Sequence, residues 1–413
     1  VIVDANSPAF TSVAATDGTY FVGNTIAITV TYGEAVVGTG SALTLSNSAT
    51  AVYTSGSGST AMVYTYTVAE GNTASSDLTV SAYTGTLTDA AGNPAGAASG
   101  DLGTVVIDGD APDFVSVAAT DGTYKVGQNI DVTVTWDEAV SVTSTPTLTL
   151  SNSGTATYQS GTGSTALVFR YTVVEGNTDS SDLTVSSYSG TIKDAAGNTA
   201  GAASGDLGAV IVDANSPAFT SVAATDGTYK VGQNIDITVT WDEVVSVTST
   251  PTLTLSNSGT ATYQSGTGST ALVFRYTVVE GNTDSSDLTV SSYSGTIKDA
   301  AGNTAGAASG DLGAVIVDAN SPAFTSVAAT DGTYFVGNTI AITVTYGEAV
   351  VGTGSALTLS NSATAVYTSG SGSTAMVYTY TVAEGNTASS DLTVSAYTGT
   401  LTDAAGNPAG AAS

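Results

Sequence analysis

The residues of this sequence that could do chemistry are carboxylates, and they recur at a regular spacing. The segment VDANSP, or its variant IDGDAP, places an acid at positions 4, 108, 213 and 318, which are 104 or 105 residues apart. Further acids recur between these segments. In the first interval they are Asp17, Glu34, Glu70, Asp77, Asp89 and Asp101, and the second interval has an acid at each corresponding position. Grouped carboxylates repel one another unless something neutralises them, so this spacing indicates a chain that binds cations.

The residue types that are absent limit the kinds of site that these carboxylates could form. The 413 residues include 35 Asp and Glu but only 6 Lys and Arg, for a net charge of −29, and they include neither Cys nor His. This composition excludes disulfides, His-based triads and the usual zinc sites. It also disfavours nucleic acid and anionic membranes as partners. Oxygen ligands favour a hard cation, which predicts calcium. We expect no enzyme, because the acids recur in every repeat without a distinctive catalytic set.

The recurrence divides the chain into four repeats. Residues 315–413 repeat residues 1–99 letter for letter. A period of this length suits a whole domain rather than one coil of a solenoid. We therefore expect four tandem domains, at 1–105, 106–210, 211–315 and 316–413. The last stops before the GDLG that follows the same point elsewhere, so we expect a part of a longer protein, with any secretion signal outside this segment.

Within each repeat the apolar residues alternate with a period of two, as in IAITVTY at 26–32. Clusters of Gly, Asn, Ser and Asp separate these stretches and indicate turns. In the first repeat the pattern predicts strands at 9–15, 25–32, 42–46, 50–54, 61–68, 78–87 and 103–107. Seven short strands in such a length are typical of an Ig-like, or cadherin-like, antiparallel β-sandwich. We predict an all-β chain of four such domains in an extended rod, with no segment long enough to insert in a membrane.

The expected strand order brings acids together where two domains meet. If each strand reverses the direction of the last, the loops with Asp17 and Glu70 lie where the chain leaves a domain. The loops with Glu34 and Asp89 then lie where the chain enters it, beside Asp4 and Asn6. The predicted ligands at the three junctions are Asp17, Glu70, Asp108, Asp110, Glu138 and Asp194; then Asp121, Glu175, Asp213, Asn215, Glu243 and Asp299; then Asp226, Glu280, Asp318, Asn320, Glu348 and Asp403.

Each of these motifs also has a simpler interpretation. TDGTY could be only a tight turn and DAAGN an Asx turn, while VDANSP could be only a stiff connector because Pro fixes φ. The acids of DSSDL at 179–183 and of WDE at 136–138 are interpreted as solvated surface. A ligand-binding adhesion module, for carbohydrate or for homophilic protein contact, stays open as an alternative function.

Two resemblances bear on these alternatives. The segment VDANSPAF resembles the calcium-binding interdomain linkers of cadherins. The whole repeat, through VDANSPAFTSVAATDGTY, VGNTIAITVTYGE and LTDAAGN, resembles the bacterial Ig-like extender repeats of giant RTX adhesins, over essentially all 413 residues. One departure is YGE at 32–34, where such repeats often have Phe-Ser-Glu, although the Glu is kept.

The resemblance to extender repeats implies a function. It implies a calcium-rigidified stalk that projects an adhesive tip from a bacterial cell surface. Such a segment is expected to be extracellular and monomeric, with calcium ions and its neighbouring repeats as partners.

Overall fold

The computed structural model describes residues 1 and 3–411, and it is all-β. The chain divides into two compact units, Val1–Asn215 and Ser216–Ser413, and each contains two of the sequence repeats. Among the described residues, no helix is long and apolar enough to cross a membrane. The prediction of an all-β chain built from repeated units is therefore confirmed.

The first repeat forms two sheets. Its strands are β1 (Phe10–Ala14), β2 (Gly18–Phe21), β3 (Thr25–Val36), β4 (Ala42–Leu45), β5 (Thr50–Ser55), β6 (Ser59–Thr67), β7 (Asn72–Ser75), β8 (Thr79–Thr84), β9 (Gly100–Asp101) and β10 (Val105–Gly109). The larger sheet has the order β1-β3-β6-β5-β4-β8-β9, and the smaller has the order β2-β10-β7. The smaller sheet includes the last strand, which leads into the next repeat.

The other repeats have corresponding strands. In the second repeat these are β11 (Phe114–Ala118), β12 (Gly122–Lys125), β13 (Asn129–Val142), β14 (Thr147–Leu150), β15 (Thr155–Ser160), β16 (Ser164–Thr172), β17 (Thr184–Ser189), β18 (Ile192–Lys193), β19 (Gly205–Asp206) and β20 (Val210–Asp213). In the third they are β21 (Phe219–Ala223), β22 (Gly227–Lys230), β23 (Asn234–Val247), β24 (Thr252–Leu255), β25 (Thr260–Ser265), β26 (Ser269–Thr277), β27 (Thr289–Ser294), β28 (Ile297–Lys298), β29 (Gly310–Asp311) and β30 (Val315–Asp318). In the fourth they are β31 (Phe324–Ala329), β32 (Thr339–Val350), β33 (Ala356–Leu359), β34 (Thr364–Ser369), β35 (Ser373–Thr381) and β36 (Val394–Thr398).

Each repeat has its own hydrophobic core. Along β3 the burial alternates, and Ile26, Ile28 and Val30 point inward while the residues between them are more exposed. This alternation follows from the pleat, which sends successive side chains to opposite faces. Edge-to-face aromatic pairs add to the core, such as Tyr53 with Tyr64 at 6.2 Å between ring centroids. The period-two pattern of the sequence therefore identifies which side chains of this strand lie in the core.

The strand β2 was not predicted from the sequence, and it pairs in parallel with β10. Gly18 lies opposite Val105, and Phe21 lies opposite Asp108. The expectation that each strand reverses the direction of the last was therefore wrong at this point. As a result, Asp17 lies level with the beginning of the last strand, whereas Asp108 lies near its end.

The strand β3 is also longer than predicted. It continues past residue 32 to Val36, with a register shift against β6 between Thr31 and Val36. Such a shift leaves extra residues on one strand and turns their side chains in a new direction. Glu34 lies in this irregular part of β3, and its placement in a loop between strands was wrong.

Truncating the buried ring of Phe169 should destabilise the second repeat. The side chain is fully buried and packs edge-to-face on Tyr158, so we expect Phe169→Ala to lower the free energy of unfolding by about 3–5 kcal/mol. Urea unfolding of the full chain in a Trp241→Phe background measures this, because Trp136 then reports on the second repeat alone. The control Val115→Ala, at a side chain 57% exposed, should cost at most about 0.5 kcal/mol. Equal losses for the two variants would contradict the assigned core.

Candidate metal centres

Three acids from separate segments meet in the first repeat. Asp4 comes from the VDANSP segment, Glu34 from the irregular part of β3 and Asp89 from the DAAGN turn. One carboxylate oxygen of each lies within 4.8 Å of the others. Oxygen ligands at 2.3–2.6 Å from a calcium-sized ion are at most about 5 Å apart, so these three could share one ion. The same arrangement recurs in the fourth repeat with Asp318, Glu348 and Asp403.

The DAAGN turn orients its own acid. Oδ1 of Asp89 accepts hydrogen bonds from the backbone N–H groups of Ala91 and Asn93, at 2.9 and 2.8 Å. Oδ2 accepts one from the Asn93 side chain at 2.8 Å. Burial raises the pKa of Asp89, but these hydrogen bonds outweigh it, and the pKa is lowered overall. The interpretation of DAAGN as an Asx turn is thus correct, and the same turn holds an ionised carboxylate in the acidic group.

The last residue of the DAAGN turn joins two repeats, and sequence reasoning missed this role. Asn198 is only 2% exposed. Its Nδ2 donates to the backbone oxygen of Asp110 at 3.0 Å and to Oδ2 of Asp194 at 2.7 Å. Its Oδ1 accepts from the backbone N–H of Val22, in the preceding repeat, at 2.7 Å. The signal was available, because an Asn recurs at this place in all four repeats.

The same connection exists between the third and fourth repeats. Oδ1 of Asn407 accepts from the backbone N–H of Val231 at 2.8 Å, and its Nδ2 donates to the backbone oxygen of Asp318 at 3.1 Å. Beside it, Nζ of Lys230 donates to the backbone oxygen of Gly406 at 2.7 Å. A buried Asn therefore binds the linker and both neighbouring repeats at each of these two junctions.

A close packing contact accompanies the first of these junctions. Gly197 lies against the ring of Phe21, and a Cβ added to this glycine, whose φ is +117°, would come within 2.9 Å of the ring. Nζ of Lys193 lies 5.7 Å from the centroid of the same ring, in a cation–π geometry. The tip of one repeat and the turn of the next are thus in direct contact.

Glutamates of the preceding repeat hold the linker by hydrogen bonds. Oε1 of Glu70 accepts from the backbone N–H of Ala111 at 3.1 Å. The carboxylate of Glu280 accepts from the backbone N–H and the hydroxyl of Ser321, at 2.9 and 2.6 Å. These hydrogen bonds lower the pKa of Glu280. The corresponding residue of the second repeat is Glu175. Glu70 and Glu280 thus lie beside the linker, as expected from the sequence, and they act there as hydrogen-bond acceptors.

A second acid of each middle repeat also binds the linker. Oδ1 of Asp179 accepts from the backbone N–H of Ala214 at 2.8 Å, and the Asn215 side chain donates to the same carboxylate at 3.0 Å. Asp284 accepts in the same way from the backbone of Ala319 and the side chain of Asn320. The interpretation of DSSDL as mere solvated surface was therefore wrong for Asp179.

The Asp of the TDGTY motif does not join the acidic groups. Oδ1 of Asp17 accepts from the backbone N–H of Thr104 at 2.8 Å. Asp121 and Asp226 accept equivalent bonds from Ala209 and Ala314, at 2.9 and 3.0 Å. These acids cap the start of the last strand, at the other end of the parallel pair from the linker. The prediction that Asp17 lies beside Asp108 and Glu70 was therefore wrong. Strand β2, which was not predicted, separates Asp17 from the linker.

The linker acids form their own turns. The backbone N–H groups of Asn6 and Asp110 donate to Oδ1 of Asp4 and Asp108, at 3.2 and 3.3 Å. The backbone N–H of Asn215 lies 3.5 Å from Oδ1 of Asp213. In Asp4 and Asp108 this Asx turn engages one carboxylate oxygen, Oδ1.

Electrostatic repulsion accumulates where these acids meet. Burial, followed by the charges of Asp194, Asp108 and other acids, raises the pKa of Glu138 to about 7. Burial, followed by the charges of Asp318 and Asp403, also raises the pKa of Glu348, and burial and Asp403 raise that of Asp318. The two arginines lie elsewhere, because Arg170 and Arg275 pair with Asp131 and Asp236. A cation among these acids would relieve the repulsion.

The donor atoms fit a metal ion that prefers oxygen. The groups consist of carboxylates beside backbone carbonyls, and the sequence has no Cys or His. Within the part of the chain that the structure describes, Oδ2 of Asp299 is buried without a hydrogen-bond donor. A buried carboxylate oxygen without a hydrogen bond destabilises the folded state unless a cation binds it. In the third repeat the corresponding acids are Asp213, Glu243 and Asp299, of which the first belongs to one compact unit and the others to the second.

No protein-family model matches the chain, and no curated protein matches it. Among solved structures, a marsupial T cell receptor is matched over 72% of this chain and 98% of its own length. The sequence identity is 9% and the TM-score is 0.29, and a likeness of this size supports no argument about this chain.

Lowering the pH from 8 to 6 should stabilise the chain when divalent ions are absent. The pKa of Glu138 is about 7 in the folded state and near 4.3 when unfolded. The folded state therefore takes up a proton in this range and the unfolded state does not, which favours folding. Thermal melts after chelation should show a higher Tm at pH 6 than at pH 8. The increase should shrink in Glu138→Gln, and a Tm that falls in both proteins would contradict the assignment.

Removing the Asn198 side chain should open the contact between the first two repeats. Asn198→Ala leaves the backbone N–H of Val22 without its partner, which costs about 1–3 kcal/mol for a buried group. Hydrogen exchange at Val22 should then accelerate about tenfold or more. The matched control is Asn93→Ala, which removes the same side chain from the first repeat's own turn. If both variants leave exchange at Val22 unchanged, Asn198 does not join the repeats.

Proposed function

We propose that this chain is a calcium-stiffened extender, a stalk segment of a large bacterial surface adhesin. In this proposal each repeat is one Ig-like domain, and the four domains follow one another as spacers outside the cell. The observation that carries the proposal is the recurrence of an acidic group beside the linker, where residues of two successive repeats and of the linker itself meet. A spacer needs such joints, whereas a binding module needs a distinctive patch in one repeat.

Calcium is the cation that fits these groups best. The ligands would be the linker acid, the glutamate of the third strand and the aspartate of the DAAGN turn. In the first, second and fourth repeats these are Asp4, Glu34 and Asp89; Asp108, Glu138 and Asp194; and Asp318, Glu348 and Asp403. The sequence places the same residue types at Asp213, Glu243 and Asp299, and the proposal extends to them on that ground. Hard cations take six to eight oxygen ligands, so backbone carbonyls and water would complete the shell.

A bound ion would stiffen a joint that hydrogen bonds already restrict. Between the first and second repeats, Glu70 binds the linker from one side and Asn198 from the other. Pro112 fixes one backbone angle directly after the acidic turn. An ion held by Asp108, Glu138 and Asp194 would add bonds between the linker and two loops of the following repeat. The remaining freedom of the joint would then be small.

The physical properties of the chain suit a spacer. Strands of about seven residues at ~3.3 Å per residue, with their loops, give ~40 Å for each repeat and ~160 Å for four. The linkers contain no Gly/Ser tract of the kind that swivels freely. A net charge of −29 keeps neighbouring copies apart and soluble. The adhesin and the bacterial surface come from the sequence resemblance alone.

Replacing Glu138 should remove one calcium ion and loosen one joint. In Glu138→Gln we expect calorimetry to count one calcium ion fewer per chain, because the variant loses a charged ligand. The increase of Tm with calcium, which follows from mass action, should be smaller. Small-angle scattering in calcium should show a broader distribution of lengths than for the unaltered chain, whose maximum dimension should be near ~160 Å.

The matched control is Asp131→Asn, on the same strand β13. It removes the same charge, but from a residue that pairs with Arg170 at the surface, and should leave calcium binding unchanged. If the unaltered chain binds no calcium, the metal assignment fails. If it binds calcium but keeps the same length distribution after chelation, the ion does not stiffen the joints and the extender mechanism fails.

A further inference from the structure

The core of the first repeat contains a group of hydroxyls. The hydroxyl oxygens of Ser41 and Tyr64 lie 2.9 Å apart in a buried hydrogen bond. The hydroxyls of Tyr32 and Tyr83 are buried as well. Burial, followed by the nearby Tyr64 and Tyr83, raises the pKa of Tyr32, so the three tyrosines lie close together. We call these four residues the hydroxyl cluster.

The second repeat has apolar side chains at three of these four places. They are Trp136, Pro146 and Phe169, which stand where the first repeat has Tyr32, Ser41 and Tyr64. All three are buried. The fourth place keeps a tyrosine, but its contacts are its own. The hydroxyl of Tyr188 donates to the backbone oxygen of Ala200 at 2.7 Å, and its ring packs edge-to-face on Trp136.

The two kinds of core alternate with the compact units. The third repeat has the apolar set of the second, with Trp241, Pro251 and Phe274. The fourth repeat has the hydroxyl cluster of the first, with Ser355 and Tyr378 at 2.9 Å between their hydroxyl oxygens. Each compact unit, Val1–Asn215 or Ser216–Ser413, thus contains one repeat with the hydroxyl cluster and one with the apolar set.

Other core positions do not distinguish the repeats of a unit. Strands β4 and β14 read ALTL and TLTL, and Leu43 and Leu148 are both fully buried. Strands β5 and β15 likewise bury Ala51 and Ala156. A strand of one repeat therefore has the correct alternation to pair inside the other. Wrong assembly between neighbouring domains is a characteristic failure of repeat proteins while they fold.

A core of mixed origin would be unfavourable because of the hydroxyl cluster. If β14 took the place of β4, the hydroxyl of Tyr64 would meet Pro146, whose side chain forms no hydrogen bond. If β16 took the place of β6, Phe169 would leave the Ser41 hydroxyl without its partner. A buried hydroxyl without a partner destabilises the folded state. The larger ring of Trp136 in place of Tyr32 would also overpack the core.

We propose that the hydroxyl cluster determines which strands assemble into one repeat, and that it prevents the exchange of strands between the two repeats of a unit. A buried polar network can select one partner over another because a wrong partner leaves its groups unpaired. The selection acts while the chain folds, and it does not depend on a metal ion.

Disulfide trapping during refolding can test this proposal, because the chain has no cysteine of its own. Val52 of β5 lies opposite Ala42 of β4, and Thr147 of β14 is the counterpart of Ala42. In the full chain with Val52→Cys and Thr147→Cys, a disulfide reports that β5 has paired with a strand of the wrong repeat. The control with Val52→Cys and Ala42→Cys reports correct pairing. Both chains are refolded from urea under mild oxidation, at a concentration low enough to keep copies apart.

We expect correct pairing to dominate in the unaltered core. Adding Tyr32→Trp, Ser41→Pro and Tyr64→Phe gives the first repeat the apolar set. The wrong disulfide should then increase about tenfold, because an exchanged core no longer leaves a buried hydroxyl unpaired. The opposite conversion of the second repeat should have the same effect, and it serves if the first conversion does not fold. It consists of Trp136→Tyr, Pro146→Ser and Phe169→Tyr.

The chain that carries both conversions separates selection from simple destabilisation. Its two repeats have different cores again, in exchanged order, although it has the most substitutions. We expect its wrong disulfide to fall back toward the level of the unaltered core. The proposal is overturned if neither single conversion increases the wrong disulfide. It is also overturned if the doubly converted chain forms as much of it as the singly converted chains.

Discussion

The pairing of β10 with β2 and β7 is the interaction on which the rest of the structure depends. This strand completes the core of one repeat with Val105 and Ile107, and it continues directly into Asp108. Asp108 is one of the charges that raise the pKa of Glu138 in the next repeat. The same short segment therefore closes one hydrophobic core and supplies an acid to the following repeat. Its position determines which acids can meet.

The acidic groups are electrostatically unfavourable without a cation, and the surrounding structure keeps them together nevertheless. The DAAGN turn donates hydrogen bonds to Asp194, and Asn198 holds the backbone of the linker nearby. These contacts keep the carboxylates together, so their charges add to the effect of burial in raising the pKa of Glu138. Folding already holds the ligands together against their repulsion. Binding of a cation would therefore need less free energy to arrange its ligands, and this preorganisation would favour binding.

The sequence was sufficient for the parts of the structure that depend on local patterns. Alternation along IAITVTY placed the core residues of β3, and the recurrence of Glu34 and Asp89 beside the linker acid predicted the acidic group. It was insufficient for β2, because TDGTYF has no alternation and becomes a strand only by pairing with residues 105–108, far along the chain. The misplacement of Asp17 followed from that omission. Asn198 was missed for a related reason, since its partner, the N–H of Val22, lies 176 residues away.

The parallel geometry of β2 and β10 has a mechanical consequence. Tension along the chain pulls β2 toward its N-terminal end and β10 toward its C-terminal end. Because the two strands run in the same direction, this load acts as shear along their common axis. The hydrogen bonds between them lie across the load and must yield together, whereas an antiparallel hairpin pulled at its open end separates one bond at a time. Each of the first three repeats thus carries a clamp against extension, made from the strand that leads into its neighbour.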